Sequence, residues 1–259
     1  MLKLFDKTLT IMKNKILLIP DIHGRSFWKD VINNCINDVD KVVFIGDIVD
    51  PYIWEGYTRK DAIQTLNDVI ELKKNNQDKI ILLWGNHDLH YLDRRFSKCS
   101  RYDSSNAWTI SKLYNDNRDL WQMAYECQLG EKKYLFSHAG LMKPWYEQNE
   151  KIIGELSIDN LNKLTNFSNG LMALSEVSRL RGGFAPCGSM VWSDVNERKE
   201  YEGDFNQWDY QIFGHTQQEK YPIITKTYAC IDCRQCFILN EDGTLEKIGQ
   251  QDKGKKVEE

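Results

Sequence analysis

Apolar residues enter this chain in two ways: short unbroken runs, and longer stretches where they recur every three to four positions. The runs at 16–20, 41–45 and 79–84 are too short for helices and lack the polar alternation of a half-exposed strand. They read as strands buried on both sides. Between them, 27–36 and 61–74 show helical spacing, the second through Ile63, Leu66, Val69, Ile70 and Leu72. Such alternation predicts an α/β fold with helices on the sheet faces. Residues 89–129 then turn polar, helical and rich in aromatics, and 134–137 return as a strand. Residues 143–181 are mostly helical through Leu156, Leu161, Leu164, Leu171 and Leu174. Further strands are expected at 190–192, 210–213, 227–232, 237–240 and 244–248, with Asn240-Glu241-Asp242-Gly243 as a hairpin turn. No repeat or linker interrupts this order. Residues 1–249 therefore read as one domain with helical insertions at about 89–130 and 143–187 beside a cleft, followed by a charged, disordered tail at 250–259.

Polar residues matter most where the runs stop. Asp21-Ile22-His23-Gly24, Gly46-Asp47-Ile48-Val49-Asp50 and Gly85-Asn86-His87-Asp88 follow the first three strands, and Ser137-His138-Ala139-Gly140 and Gly214-His215-Thr216 follow two later ones. In parallel sheets ligands gather beyond the carboxyl ends of the strands. One block alone is ordinary turn chemistry, because Asp, Asn and Gly favour loops. Five in this order supply carboxylate, amide and imidazole donors for two divalent cations, with Asp47 the candidate bridge. Paired cations of this kind hydrolyse phosphate esters and related bonds.

Composition narrows the setting. At 41% apolar residues the chain can bury a core, and a formal charge of −4 gives no reason to expect nucleic acid as a partner. No apolar run reaches membrane-spanning length, so no membrane partner is expected. Seven cysteines form no dense framework, which favours a reduced, cytoplasmic setting. Cys230, Cys233 and Cys236 have metal-like spacing, but without a fourth ligand block they read as reduced thiols around a strand pair.

From about Lys15 to Ile248 the blocks resemble the calcineurin-like metallophosphoesterase superfamily, in particular its branch of Ser/Thr protein phosphatases and symmetrical diadenosine tetraphosphatases. The resemblance implies a four-layer αββα sandwich of two mixed sheets. It implies that Asp21 and His23 hold one metal, that Asp47 bridges, and that Asn86, His138 and His215 hold the other. The mixed oxygen and nitrogen donors suit Mn²⁺ first, with Fe or Zn²⁺ as alternatives. A hydroxide shared by the metals would attack phosphorus, with His87 as general acid oriented by Asp50.

Two departures bear on substrate. Gln217 stands where nucleases and diesterases of the superfamily carry the second histidine of Gly-His-x-His, which favours the phosphatase branch. Pro51-Tyr52 stands where that branch has a phosphate-gripping arginine. Arg25 is the preferred substitute by position, with Arg94, Arg95, Arg181 and Arg198 as others, and His90 is a second candidate for the phosphate channel. The expected substrate is a phosphomonoester, phosphoprotein or small metabolite. A dinucleoside polyphosphate is the alternative, with Trp54, Tyr91 or Trp145 stacking on its base, and a non-catalytic metal-binding module the third reading.

Overall fold

A computed structural model describes residues 14–96, 98–199 and 205–255. The parts of the expected domain and tail at 1–13 and 256–259 lie outside the described residues. Strands β1 (Lys15–Ile19), β2 (Lys41–Phe44), β3 (Ile80–Leu83) and β4 (Trp121–Gln122) pair in parallel. Antiparallel β10 (Cys236–Asn240) and β11 (Leu245–Ile248) complete a six-stranded sheet in the order β11-β10-β1-β2-β3-β4. A second sheet, in the order β5-β6-β7-β9-β8, comprises β5 (Ala124–Leu129), β6 (Lys132–Ser137), β7 (Tyr210–Phe213), β8 (Ile223–Ile224) and β9 (Tyr228–Cys230). It is mixed too: β6, β7 and β9 run parallel, and β5 and β8 antiparallel to their neighbours.

Side-chain alternation explains the layering. Ile16, Leu18, Val43, Ile45 and Leu83 share one cluster with Tyr134, Phe136, Ile212 and Ala229 of the second sheet. Their neighbours Leu17, Ile19, Val42, Phe44 and Leu82 point the other way and pack with Trp28, Val31, Leu66 and Val69 of the helices. Helix α1 (Phe27–Cys35) lies against β10, and α2 (Arg59–Asn75) lies against β3. A capping box starts α2: Thr58 Oγ1 accepts the Asp61 N–H at 3.1 Å and Asp61 accepts the Thr58 N–H at 2.7 Å. The short helix α3 (Asn86–Leu92) and α4 (Ala107–Asp116) follow β3. Helices α5 (Lys143–Ile153), α6 (Ile158–Lys163) and α7 (Ser168–Leu174) come later, with α6 against β5. The result is two mixed sheets flanked by helices, with buried runs that end on the edges where the polar blocks sit.

Three expectations need correction. The 89–129 stretch is not helical throughout, because 124–129 form β5 and pair with β6 across a turn at Gly130 (φ 57°). Residues 190–192 form a turn, not a strand: the Trp192 and Ser193 N–H groups both donate to the Ser189 carbonyl. That turn instead offers the Met190 carbonyl to the Ala139 N–H at 2.9 Å, bracing the His138 block. The tail is docked as far as Lys255, through Tyr57 to Asp252 (2.6 Å) and Lys255 to Asp61 (2.9 Å). Cys230, Cys233 and Cys236 are thiols buried around β9 and β10. No described helix is long and apolar enough to cross a membrane.

Leu18 is fully buried between the sheets. Leu18→Ala is expected to lower unfolding stability by about 3 kcal/mol, read from the urea midpoint at unchanged slope.

Candidate metal centre and active site

The loops after β1, β2, β3, β6 and β7 converge. Asp21 accepts the His215 backbone N–H at 3.0 and 3.2 Å. His23 Nδ1 lies 2.8 Å from the Val49 carbonyl, to which it donates, so its Nε2 lone pair turns inward, 3.5 Å from Asp47 Oδ2. His138 repeats the device: Nδ1 contacts the Ile45 carbonyl at 2.9 Å, and Nε2 lies 3.4 Å from the same Asp47 oxygen. Asp47 therefore stands between two imidazoles. Around His138 Nε2 gather Asn86 Oδ1 at 2.9 Å and His215 Nδ1 at 3.1 Å. The Asn86 amide nitrogen is 3.2 Å from Cys99 Sγ, which leaves its oxygen facing the cluster. Two donor sets result, Asp21–His23–Asp47 and Asp47–His138–His215, each with its ligand atoms within 4.8 Å of one another, and they share Asp47.

This donor set fits cations. His215 Nε2 is buried without a hydrogen-bond partner among the described residues. Burial, followed by repulsion from Asp232, raises the Asp21 pKa well above the usual carboxylate range. Burial also raises that of Asp47, but His138 and His87 outweigh it and hold it well below that range. His23 and His215 are pushed down, chiefly by burial, toward the neutral form that ligates metals. Burial opposes charge on His138, yet Asp47 and Asp21 outweigh it and push its pKa up to about 10. The carboxylates thus require positive charge at this point, and a proton or a metal ion satisfies the same requirement.

The backbone is bent to achieve this. His23, Asp47, Asp50 and His215 all adopt positive φ, between 48° and 63°. That region costs a non-glycine residue roughly 1–2 kcal/mol and is tolerated best by Asp, Asn and His. Glycine serves here by having no side chain. A Cβ on Gly85 would lie 2.1 Å from Asp47 Oδ1, and one on Gly214 would lie 2.0 Å from Asp21 Oδ1.

Beside the cluster, the His87 N–H donates to Asp47 Oδ1 at 2.9 Å and its Nδ1 meets Asp50 Oδ2 at 2.7 Å. Asp50 also receives Tyr91 Oη at 2.5 Å and lies 2.8 Å from His90 Nε2. Burial raises the Asp50 pKa, but the hydrogen bonds from His87 and His90 outweigh it and bring it below the usual range. His87 lines a cavity of 460 Å³ together with His23, Asp47, Asn86 and His215 of the cluster and with Tyr52, Arg101, Arg181 and Trp192. A larger hollow of 690 Å³ around Gly130 and Glu241 has no such donor set among the described residues.

Two expected substrate contacts face elsewhere. Arg25 is buried, its Nε bound to Glu55 at 2.8 Å and its Nη1 directed to the Asp21 and Ile22 carbonyls, so it braces the first loop. His90 is buried under Asp50, its Nδ1 accepting the Cys99 N–H at 3.0 Å. Arg198 donates to the Leu141 carbonyl and Arg95 is tied to Asp93. Arg181 reaches the cavity, fixed by Asp194 at 2.8 Å and Thr216 at 2.8 Å.

Two residues escaped the sequence reading. Asp88 is fully buried and accepts the N–H groups of Asp47 (2.8 Å), Ile48 (3.0 Å) and Gly85 (2.9 Å), joining the second and third blocks. Its place in Gly-Asn-His-Asp was a usable signal. Arg101 lies in an irregular segment between α3 and α4, where nothing in the pattern marked it.

A family described as calcineurin-like phosphoesterase matches residues 14–219. No curated protein matches the sequence significantly. Among solved structures, a cold-active protein-tyrosine phosphatase of a psychrophilic Shewanella species is similar at 16% identity with a TM-score of 0.55, covering 90% of this chain and 80% of that one. A protein serine/threonine phosphatase from Saccharomyces cerevisiae is similar at 14% identity with a TM-score of 0.52, covering 97% and 82% respectively. At these identities the two structures support the fold alone.

Chelation with EDTA is expected to lower Tm by about 5–10 °C if metal is held at 100–1,000 times its Kd. Gly214→Ala, which alters no ligand, should reduce bound Mn²⁺ per chain after dialysis, as should Asp47→Asn. Metal analysis by mass spectrometry reads both, and unchanged content in both variants would contradict the assignment.

Proposed function

The chain belongs to the calcineurin-like phosphoesterase family, hydrolases acting on phosphoric ester bonds, and from that premise we propose that it dephosphorylates phosphomonoesters. The substrate is a phosphoprotein or a small phosphorylated metabolite. One observation carries this reading: His87, hydrogen-bonded to Asp50 and held on Asp47, opens onto the same cavity as the metal-binding donor set.

Asp21, His23 and Asp47 would hold one divalent ion, and Asp47, Asn86, His138 and His215 the other. When bound, such ions neutralise phosphoryl oxygens and bring the pKa of a shared water toward neutrality, against about 15.7 in bulk. Manganese is the expected metal, and Fe or Zn²⁺ also suits these donors.

The rest is work for the protein's own side chains. With Nδ1 on Asp50 and the backbone N–H on Asp47, the His87 imidazole cannot rotate, and Nε2 faces the cavity. In the substrate complex Nε2 carries a proton that passes to the departing oxygen as the P–O bond breaks. Asp50, kept ionised, holds the ring in that orientation through Nδ1. Low exposure of the cluster, with His138 fully buried and Asp21 at 1%, strengthens each of these interactions by excluding water. Gln217 is exposed and turned toward the Arg234 guanidinium (2.7 Å), so no seventh side chain is supplied from that position. This supports the monoesterase reading.

A second reading, hydrolysis of dinucleoside polyphosphates, is favoured by one observation. Trp54 is 73% exposed and lies edge-on to the cavity-lining Tyr52 at 5.0 Å, a position from which it can stack on a base. Tyr91 and Trp145 are buried and cannot.

His87→Asn is expected to cut kcat by about 10²–10⁴-fold at near-normal metal content and Tm. A rate within a few-fold of wild type would remove the general-acid role. A phosphopeptide panel assayed beside diadenosine tetraphosphate should give the higher kcat/KM for a monoester. The reverse order would favour the second reading.

A further inference from the structure

Arg101 has a geometry that no folding role explains. It sits at φ 63° in the segment between α3 and α4, sharing the left-handed conformation of His23, Asp47, Asp50 and His215. Its Nε donates to the Asp50 carbonyl at 3.0 Å, and its guanidinium lies 3.8 Å from the centre of the Tyr52 ring. Nη1 reaches Ser100 Oγ at 3.3 Å, and Nη2 has only a long contact, 3.4 Å, to His87 Nε2. Among the described residues no carboxylate pairs with it, although Arg25, Arg95 and Arg181 each have one. The cation is therefore fixed in direction and not neutralised. It lines the same cavity as His23, His87 and His215, where bound metals would add further positive charge.

With metals offsetting the Asp47 and Asp232 carboxylates that share this lining, such an arrangement favours an entering anion. We infer that Arg101 is the phosphoryl-binding arginine of this site, and that Tyr52 is its positioning platform. This inference rests on the phosphoesterase reading above. The stacking and the Nε hydrogen bond hold the guanidinium plane, leaving the remaining N–H groups of Nη1 and Nη2 to take two non-bridging phosphoryl oxygens. A phosphoryl oxygen offers Nη2 a far better acceptor than its long contact with the His87 ring. The substrate class follows: a terminal, dianionic phosphoryl group offers this fork more charge and more free oxygens than a diester does. Arg101 thus selects monoesters over diesters. Tyr52, in the loop after Asp50, supplies the ring on which this arginine rests.

The test compares wild type, Arg101→Asn and Arg101→Lys, all loaded with Mn²⁺, on p-nitrophenyl phosphate and bis(p-nitrophenyl) phosphate, with inorganic phosphate as inhibitor. Asn tolerates the left-handed backbone, which keeps the loop in place. Arg101→Asn should lose about tenfold to a hundredfold in monoester kcat/KM and weaken phosphate inhibition similarly, at unchanged metal content and Tm. Diester turnover should fall by a smaller factor than monoester turnover, and Arg101→Lys should recover part of the monoester loss. Tyr52→Leu, which removes the platform, should raise KM more than it lowers kcat. Monoester kcat/KM and phosphate inhibition both within threefold of wild type in Arg101→Asn would overturn the assignment. Failure of the underlying reading would show separately, as wild-type protein inactive toward both esters. Calorimetry of phosphate binding to wild type and Arg101→Asn would then still decide the role of Arg101.

Discussion

A buried carboxylate kept ionised is the constraint on which the site depends. Asp47 lies at the end of β2, 2% exposed, with one oxygen between His23 and His138 and the other accepting the His87 N–H. An isolated carboxylate at that depth would take up a proton. It remains charged because His138 and His87 lie beside it, His138 aimed by the Ile45 carbonyl and His87 by the Asp50 carboxylate. The proposed metal binding and general-acid chemistry, and the loop strain, all meet at this one side chain.

The surrounding fold serves to hold that side chain still. Asp88 ties the second block to the third through three backbone N–H groups, so the loops after β2 and β3 move as one. The glycines at 85 and 214 leave room where the Asp47 and Asp21 carboxylates need it. Four left-handed residues in one cluster are unfavourable locally. Burial of apolar runs on both faces of the first sheet offsets that cost, which accounts for placing the chemistry at the ends of the most buried strands. Asp50 repeats the principle one layer out, with His87, His90 and Tyr91 sharing its two oxygens.

The strands that carry the site were legible because an unbroken apolar run such as Ile16-Leu17-Leu18-Ile19 has few other meanings in a chain of alternating elements. The six donor residues and His87 were legible because Asp, His and Asn stood where those runs stop, and the structure brings them together. What failed had a physical reason in each case. The hairpin β5–β6 was hidden because its first strand mixes polar and apolar residues on a partly exposed edge. Residues 190–192 look like a strand by composition, but their backbone is used to brace the His138 loop. Arg25 lies beside the Asp21 block but is turned away from the cavity, since its partner Glu55 lies 30 residues away. Arg101 could not be found at all, because its orientation is set by Tyr52 and the Asp50 carbonyl, contacts that only the folded chain creates.

Anomalous diffraction from crystals of the manganese-loaded protein tests the central claim most directly. The account predicts two peaks about 3.5–4 Å apart with a carboxylate oxygen of Asp47 between them, one peak beside His23 and the other beside His138 and His215. A single peak, or two peaks without Asp47 between them, would contradict it.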